Sequence, residues 1–249
     1  DVVSVDYTMG ASVINGVAVF TGASDGTTPV TWADKIELFA QEDVYYITPL
    51  TDDTSIHAEV MQFVVDQANN GHNMREIVGG GINENISRLL SRQIALHNPR
   101  VSLVGSSGSY SFADGRTVDE PGYMIAAQIA GMRSGLDVAE PITFKYLNLS
   151  SLDTYYTGDE LDTLYENGVI AIEYVRNRSI KGYRIVADVS TYNDQTEPVD
   201  SDSSTGELTD FLMDDLRYAL ENNYIGTKLH LTSASLIKSS VQSFLDSAK

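Results

Sequence analysis

The sequence predicts an α/β fold with a mainly parallel or mixed central sheet, helices on both faces and an antiparallel hairpin at one side. Two patterns predict it. Between residues 43 and 106, short β-branched and aromatic runs alternate with two long stretches whose apolar residues recur every three or four positions. Further along, two strand-like runs are separated only by a short basic turn. Strands joined through helices run parallel and are buried on both faces, whereas a short turn joins antiparallel strands.

The amino-terminal residues give the weakest signal. Residues 1–22 alternate between apolar and polar and break at glycines, which predicts edge strands or the remnant of an adjoining small β region. Residues 23–249 are predicted to form the α/β core domain. After a turn at 24–29, the apolar residues Trp32, Ile36 and Phe39 predict a short helix that leads into the core.

A βαβαβ unit follows, with strands predicted at residues 44–47, 77–78 and 101–104. Thr54 or Ser55 is expected to cap the first helix, which ends at the turn residues 69–71, and Pro99 limits the second helix. The apolar faces of the two helices are expected to consist of Ile56, Val60, Phe63 and Val64, and of Ile82, Ile86, Leu89, Leu90 and Ile94.

The second half of the chain begins with a Gly/Ser-rich loop predicted at 105–115. Pro121 then starts a helix with almost no polar face, which predicts burial on all sides and the close approach of another backbone. Residues 141–149 are expected to be extended. Thr157 and Glu160 have the spacing of a capping box, and the helix behind them should end at Asn167 and Gly168.

The last elements are a hairpin, a loop and two helices. Strands are predicted at 169–175 and 183–189, joined by the basic turn 176–182. Residues 193–206 carry four acids together with serines, a proline and a glycine, which predicts a mobile surface loop that could be clipped without loss of the fold. Helices are expected around residues 208–219 and 234–244.

Composition excludes several classes of function. The 249 residues include 35 acidic and 16 basic side chains, for a net charge of −19. Such a chain is repelled by nucleic acid and by anionic membranes, so we expect neither as a partner. It has no cysteine, which excludes disulfides, thiolate metal sites and cysteine nucleophiles. No apolar run approaches the roughly 20 residues of a membrane span.

A glycine-rich turn at residues 79–81 could bring backbone amides to a phosphate, because it lies between a strand and a helix where α/β folds bind ligands. The dinucleotide-binding pattern, however, requires a third glycine where Glu84 stands, and no P-loop lysine follows. A tight turn therefore accounts for these glycines better than a phosphate site does.

The serines of the loop 105–115 follow a strand, as a nucleophilic serine would. The nucleophile-elbow pattern fails because Ser109 occupies the position of its last glycine. His57 and Glu59 have the spacing of a zinc deaminase motif, but its cysteine ligands are absent. His57 is better explained as part of the first turn of a helix.

The acidic residues do not define a metal or catalytic site either. Asp200, Asp202 and Ser204 match the start of a calcium-binding loop, but its glycine is displaced to Gly206 and Phe211 stands where the last ligand should be. With 35 acids, chance carboxylate pairs are abundant, so no glycosidase-like pair can be argued. We therefore predict no catalytic, cofactor-binding or metal-binding residues, no cofactor, no enzymatic activity, and no tight binding of a nucleotide or metal.

Several segments, taken in order, resemble the contractile tail sheath proteins of bacteriophages. In that family, a strand before a first long helix is followed by a buried helix of the A-x-x-A-G type, an S/P-x-T-x-K segment, a helix that ends in L-x-x-x-G-V, and an aspartate-bearing helix before I-G-x-K. The matching segments here are residues 43–49, 126–131, 141–145, 164–169, 214–217 and 225–228. The resemblance as a whole extends over most of residues 20–246, with the segments in the right order.

The resemblance implies a structural subunit of a myovirus tail sheath, whose α/β domain has no catalytic residues to carry over. It implies helical assembly around the tail tube, with other sheath subunits, tube proteins and baseplate proteins as partners and no membrane insertion. Contraction would drive the tube through the host envelope, and the subunit would assemble in the host cytoplasm and reside in the virion. Because this chain starts without Met and stops at Lys249, we expect a protease-resistant core fragment that is monomeric in isolation.

A second hypothesis from another class stays open at this point. An α/β protein could bind a small ligand, or act as a hydrolase, through the loops 79–81 and 105–115, which would converge at the carboxyl ends of the strands. A ligand pocket with a polarised nucleophile would favour this hypothesis, and loops filled by the protein's own side chains would count against it.

Overall fold

The computed structural model describes residues 32–176, 180–194, 198–225 and 233–247. The strands expected within 1–22 and the proposed boundary at residue 22 lie outside the described residues, as do residues 177–179 of the basic turn. The first described element is helix α1 (Trp32–Ile36), which continues as a 3-10 turn over Glu37–Gln41. This confirms the short helix expected before the core.

A four-stranded parallel sheet forms the centre of the described chain, in the order β1-β2-β3-β8. Its strands are β1 (Tyr46–Ile47), β2 (Arg75–Gly79), β3 (Val101–Val104) and β8 (Val169–Ile170). Helix α2 (Thr54–Asn69) connects β1 to β2, and helix α3 (Ile86–Leu96) connects β2 to β3. The predicted βαβαβ unit is confirmed.

Helices cover both faces of this sheet, as predicted. Successive residues of a strand point to opposite faces, so Ile77 and Val78 belong to different clusters of the core. On one face, Val78 and Leu103 pack with Leu89 of α3. On the other, Ile77 packs with Ile125 of helix α4 (Gly122–Arg133). Each face therefore has its own apolar core, and the sheet itself is the layer between them.

The ends of α2 and α3 correct two details of the sequence prediction. Asp53, rather than Thr54 or Ser55, caps α2, and its Oδ1 accepts a hydrogen bond of 2.8 Å from the backbone N–H of Ser55. Helix α3 begins only at Ile86, so Ile82 lies before it and is exposed. Ile94 is 72% exposed because it is turned by about 100° from the buried Gln93. The apolar face proposed for this helix was wrong at these two isoleucines.

The predicted loop at 105–115 is wrong over part of its length. Strand β4 (Gly108–Ser111) forms an antiparallel hairpin with β5 (Thr117–Glu120) and also pairs with β7 (Ser151–Leu152). Hydroxyl pairs support this small sheet: the Oγ atoms of Ser109 and Ser151 are 2.7 Å apart. The strands were missed because most of their residues are polar or glycine and show no apolar alternation. Strand pairing and the hydroxyl pairs hold this sheet together instead.

The remaining elements around the hairpin agree largely with prediction. Strand β10 (Lys181–Ile185) lies antiparallel between β9 (Ile172–Arg176) and β6 (Tyr146–Leu147). Within the predicted extended segment 141–149, only β6 is a strand, and Phe144 has φ +63° in a turn. Helix α5 (Gly158–Glu166) carries the predicted capping box and ends before Gly168, whose φ is +68°. The predicted burial of helix α4 on all sides is wrong, since Met124 and Gly131 are exposed and only one side of the helix is buried.

The predicted mobile loop at 193–206 is also wrong where the structure describes it. Helix α6 (Pro198–Ser201) and the start of helix α7 (Ser203–Tyr224) occupy this segment, and Ser203 is buried. The hydroxyl oxygens of Ser203 and Ser102 lie 2.8 Å apart. The segment is ordered by polar contacts with the core, which composition alone does not reveal.

Helix α8 (Ser233–Ser247) packs against α7 and completes the described fold. The two predicted closing helices are thus confirmed. Within the described ranges, no helix combines the length and the apolar character that crossing a membrane requires.

Candidate functional site

The carboxyl edge of the parallel sheet, where a ligand of an α/β protein would bind, is filled by the first turn of α4. The backbone N–H of Tyr123 donates to the carbonyl of Gly80 over 3.2 Å, and the N–H of Gly80 donates to the carbonyl of Val104 over 3.0 Å. A Cβ atom added to Gly79 would lie only 2.0 Å from the carbonyl carbon of Gly122. These glycines allow two backbones to approach closely, and the contact lies at Gly122, before the stretch 123–132 for which a close approach was predicted.

The backbone amide of Gly81, the third glycine of this turn, binds a carboxylate of the protein itself. The N–H of Gly81 donates to Oε2 of Glu84 over 2.9 Å. Glu84 in turn accepts a hydrogen bond of 3.0 Å from Arg92, and both side chains are almost fully buried. Arg92 also donates to the carbonyl of Asp52, which ties α3 to the start of α2. The amide that a phosphate would need is therefore already satisfied.

The serines that follow β3 form hydrogen bonds with other residues of the chain. Ser106 Oγ accepts a hydrogen bond of 2.9 Å from the N–H of Ile172. Ser107 Oγ donates to Asp153 over 2.6 Å and accepts from the N–H of Asn83 over 2.8 Å. Across the described ranges, no hydrogen bond joins either serine to a histidine. The loops 79–81 and 105–115 do converge, as the ligand-binding hypothesis expects, but their polar atoms bind the chain itself.

His57 is a core residue at the start of α2. Its Nε2 lies 2.8 Å from the carbonyl oxygen of Thr51, and its Nδ1 lies 3.4 Å from Arg92. Burial lowers the pKa of the imidazole, and the charge of Arg92 adds to this effect. The histidine therefore acts as a neutral hydrogen-bonding group that joins α2 to α3.

The acidic residues of the possible calcium loop cap a helix instead. Asp202 Oδ1 accepts a hydrogen bond of 3.1 Å from the backbone N–H of Ser204, so Asp202 is the N-cap of α7. In the part of the chain that the structure describes, no three His, Asp or Glu side chains are grouped so that they could hold a metal ion.

A buried ionic cluster at the opposite, amino-terminal edge of the sheet was not predicted. Asp210 of α7 accepts hydrogen bonds from Arg75 Nε (2.9 Å), Tyr45 Oη (3.0 Å) and Arg100 (2.7 Å to Oδ1). We call these four residues the Asp210 cluster. Burial raises the pKa of Tyr45, so its hydroxyl remains a donor. The cluster joins α7 to residues at the starts of three strands.

A second polar contact reinforces the same attachment. Tyr46 donates its hydroxyl to Glu207 of α7 over 2.9 Å, and burial raises the pKa of Tyr46 to about 12. Close by, Arg133 of α4 forms a buried ion pair with Asp188. The sequence held one signal for these contacts: Arg100 directly precedes the apolar strand residue Val101, and Arg75 is two positions before Ile77, where charge is rare unless paired.

Glu76, on the central strand β2, is buried without a partner. Neither of its carboxyl oxygens has a hydrogen-bond partner among the described residues. Burial raises the pKa of this carboxyl well above its usual value. Glu76 therefore lowers the stability of the fold instead of adding to it.

We expect Glu76→Met to raise the free energy of unfolding at pH 7 by about 1–3 kcal/mol, because it removes an unsatisfied buried polar group. The unfolded chain releases the Glu76 proton near pH 4.3, whereas the folded chain holds it to a higher pH. The wild-type protein therefore loses stability relative to the variant as pH rises above about 4.3.

Urea unfolding at pH 5 and pH 7 measures this difference, and the exposed Glu59→Met provides a matched control with a change within about 0.5 kcal/mol. A variant less stable than the wild type at pH 7, or a difference that does not grow with pH, would contradict the assignment.

Comparison with known proteins shows which family the chain resembles. No protein-family model matches it. The chain is 52% identical over 229 residues to a protein of Enterococcus phage phiEF24C that is named for the tail sheath, and 48% identical over 229 residues to the tail sheath protein of Staphylococcus phage Twort. The chain is a homologue of phage tail sheath proteins. The tail sheath protein of Bacillus phage SP01 is 30% identical over 247 residues.

These sheath relatives are much longer than the chain. The alignments include 92%, 92% and 98% of this chain but only 40%, 39% and 43% of the three relatives. The chain thus spans about two fifths of the length of the curated relatives it matches. The resemblance read from the sequence motifs is confirmed.

Solved structures of sheath proteins share the fold. The crystal structure of a sheath tail protein from Desulfitobacterium hafniense matches 94% of this chain and 56% of its own, with a TM-score of 0.66 at 14% identity. The contracted helical sheath of the anti-feeding prophage matches 87% of this chain and 59% of its own, with a TM-score of 0.61 at 13% identity. At such low identity the match establishes a common fold.

Proposed function

We propose that this chain is the α/β core of a contractile tail sheath subunit, which assembles helically around the tail tube. The observation that supports this most strongly is the 52% identity to a sheath-named phage protein over 92% of the chain. The partners would be other sheath subunits, the tube and the baseplate. Contraction of the assembly would drive the tube through the host envelope, and the subunit would assemble in the host cytoplasm before becoming part of the virion.

The proposed role is structural and needs no catalysis. The ligand-binding or hydrolase hypothesis depends on the loops 79–81 and 105–115. Polar atoms of these loops form hydrogen bonds with Glu84, Asp153 and the backbone. This arrangement supports a rigid block over an enzyme, because a reaction site requires groups free to meet a substrate.

Electron microscopy of the full-length protein that contains this sequence tests the proposal. We expect helical tubes, since a contact between two different surfaces that does not close on itself generates a helix. Compact single particles or closed rings at every salt concentration would contradict the role as a sheath subunit.

We expect the 249-residue chain by itself to sediment as a monomer at micromolar concentration. Its net charge of −19 makes copies repel one another at low salt. In a sheath, extended arms would link neighbours by adding strands to their sheets, and we do not expect this exchange from the core alone. Sedimentation velocity at low and moderate salt makes the measurement. A stable closed dimer with a large apolar interface would instead favour the enzyme alternative.

A further inference from the structure

Helix α7 is attached to the core through its polar side. Five polar residues recur along it at steps of three and four, and each is hydrogen-bonded to the core. The bonds join Ser203 to Ser102, Glu207 to Tyr46, Asp210 to Arg75 and Arg100, Asp214 to Asn73, and Arg217 to the carbonyl of Gly71. A surface helix ordinarily turns an apolar stripe toward the core, so the polarity of α7 is inverted.

The apolar residues of α7 lie on another side of the helix. Leu208, Phe211 and Tyr218 are 40%, 46% and 70% exposed, and Leu212 is half-buried. At about 100° per residue, these four residues fall within an arc of about 120°. We call them the α7 patch. Among the described residues, none of the four belongs to an apolar cluster of the core.

Helix α8 packs against a different side of α7 and leaves the patch uncovered. Ile237 of α8 and Met213 of α7 line the same groove. Met213 follows Phe211 by two positions, which is a rotation of about 200° around a helix. The α7 patch is therefore a separate surface, and a contiguous group of exposed apolar side chains on a folded protein indicates an interface.

Two observations indicate what covers this patch. The alignments leave about three fifths of each curated relative outside the matched region, so a full-length homologue has ample polypeptide to cover it. A second copy of the patch fits poorly, because the exposed Asp215 lies on the same side of α7 and would face its own copy. Four side chains are also too few for the roughly 800 Å² per partner that a stable complex buries.

We propose that, in the full-length sheath subunit, polypeptide of the same subunit from outside these 249 residues covers the α7 patch with an apolar surface. A segment of the same polypeptide is held close by its covalent connection, so a small contact suffices. This inference rests on the proposed function, since it concerns the full-length sheath subunit. Helix α7 would then join two parts of one subunit, with its polar side on the α/β core and its apolar side on the added part.

Cysteine labelling of the full-length protein tests this contact. Phe211→Cys places a thiol in the patch, and Ser91→Cys places one at an exposed position of α3 as the matched control. Each variant is kept dilute and monomeric and treated with a maleimide, and mass spectrometry of the peptide that carries the cysteine gives the labelling rate. We expect the thiol at position 211 to react at least about tenfold more slowly than the control.

The same two variants of the 249-residue chain show what causes the protection. Without the covering polypeptide, we expect their labelling rates to agree within about threefold. In the full-length monomer, adding Leu208→Gln and Leu212→Gln should weaken the contact and raise the rate at position 211 toward that of the control. Tyr218→Cys, at the edge of the patch, provides a second probe and should show the same protection.

Three results would overturn the inference. Equal rates at positions 211 and 91 in the full-length monomer would show that the patch is free. Protection that appears only in assembled tubes would assign the patch to a neighbouring copy. Protection already present in the 249-residue chain would show that this chain covers the patch itself.

These results are distinguishable from failure of the sheath proposal. Helical tubes from a full-length protein whose monomer leaves position 211 reactive would reject this contact and retain the sheath function. A protected patch in a full-length protein that never forms tubes would retain the contact and reject the sheath function.

Discussion

Replacing Asp210 with alanine is expected to lower the free energy of unfolding by about 3–5 kcal/mol, because it leaves buried cations without their counter-ion. Arg75 is 7% exposed and donates to Asp210 over 2.9 Å, and the partly buried Arg100 contributes a second charge at 2.7 Å. Tyr45 would lose its acceptor as well. Removal of a shared acceptor weakens every hydrogen bond of the network. The expected loss of stability therefore exceeds that for a single ion pair.

Asp214→Ala, one helical turn further along α7, provides the control for this experiment. Its carboxylate is about half exposed, lies 3.7 Å from the similarly exposed Arg217 and accepts an exposed hydrogen bond of 2.9 Å from Asn73. Such surface contacts contribute about 0–1 kcal/mol. Urea unfolding of the three proteins at pH 7 gives the comparison. Equal effects of the two substitutions would show that the Asp210 cluster does not secure α7.

Replacing Gly79 with alanine is expected to destabilise the fold by about 3 kcal/mol or more, because the new methyl group has no space. Its Cβ would lie 2.0 Å from the carbonyl carbon of Gly122 and 2.2 Å from the backbone nitrogen of Tyr123. Both neighbours are backbone atoms of α4, so relief requires the helix to move away from β2. That movement would also weaken the contact between Ile77 and Ile125 in the core.

Gly131→Ala tests whether the effect comes from the contact and not from the substitution itself. Gly131 lies in the same helix, and a Cβ there would meet no atom within 4 Å. Alanine at an open helical position should raise stability by about 0.5–1 kcal/mol. The thermal unfolding midpoints of the two variants should therefore move in opposite directions. A Gly79→Ala protein as stable as the wild type would refute the close approach of α4 and β2.

The sequence by itself determined the parallel core of this protein. The apolar strand runs, such as 101–104, are separated by helices with one apolar face. Few arrangements bury both the strands and the apolar faces of the helices, and a parallel sheet covered by helices is one of them. The capping box of α5 and the hairpin of β9 and β10 followed in the same way, because their signals depend on residues close together in the chain. The ordered series of short motifs also indicated the resemblance to phage tail sheath proteins.

Only the tertiary structure decided the features that depend on distant residues. Strands β4 and β5 are held by pairing and by hydroxyl groups, and the start of α7 is ordered by Ser102 and other polar groups of the core. Asp210 reaches Arg75 across 135 positions of sequence, and no local pattern encodes such a distance. Periodicity reports which side of an element is buried, whereas the partner that buries a polar group is chosen by the packing of the whole chain.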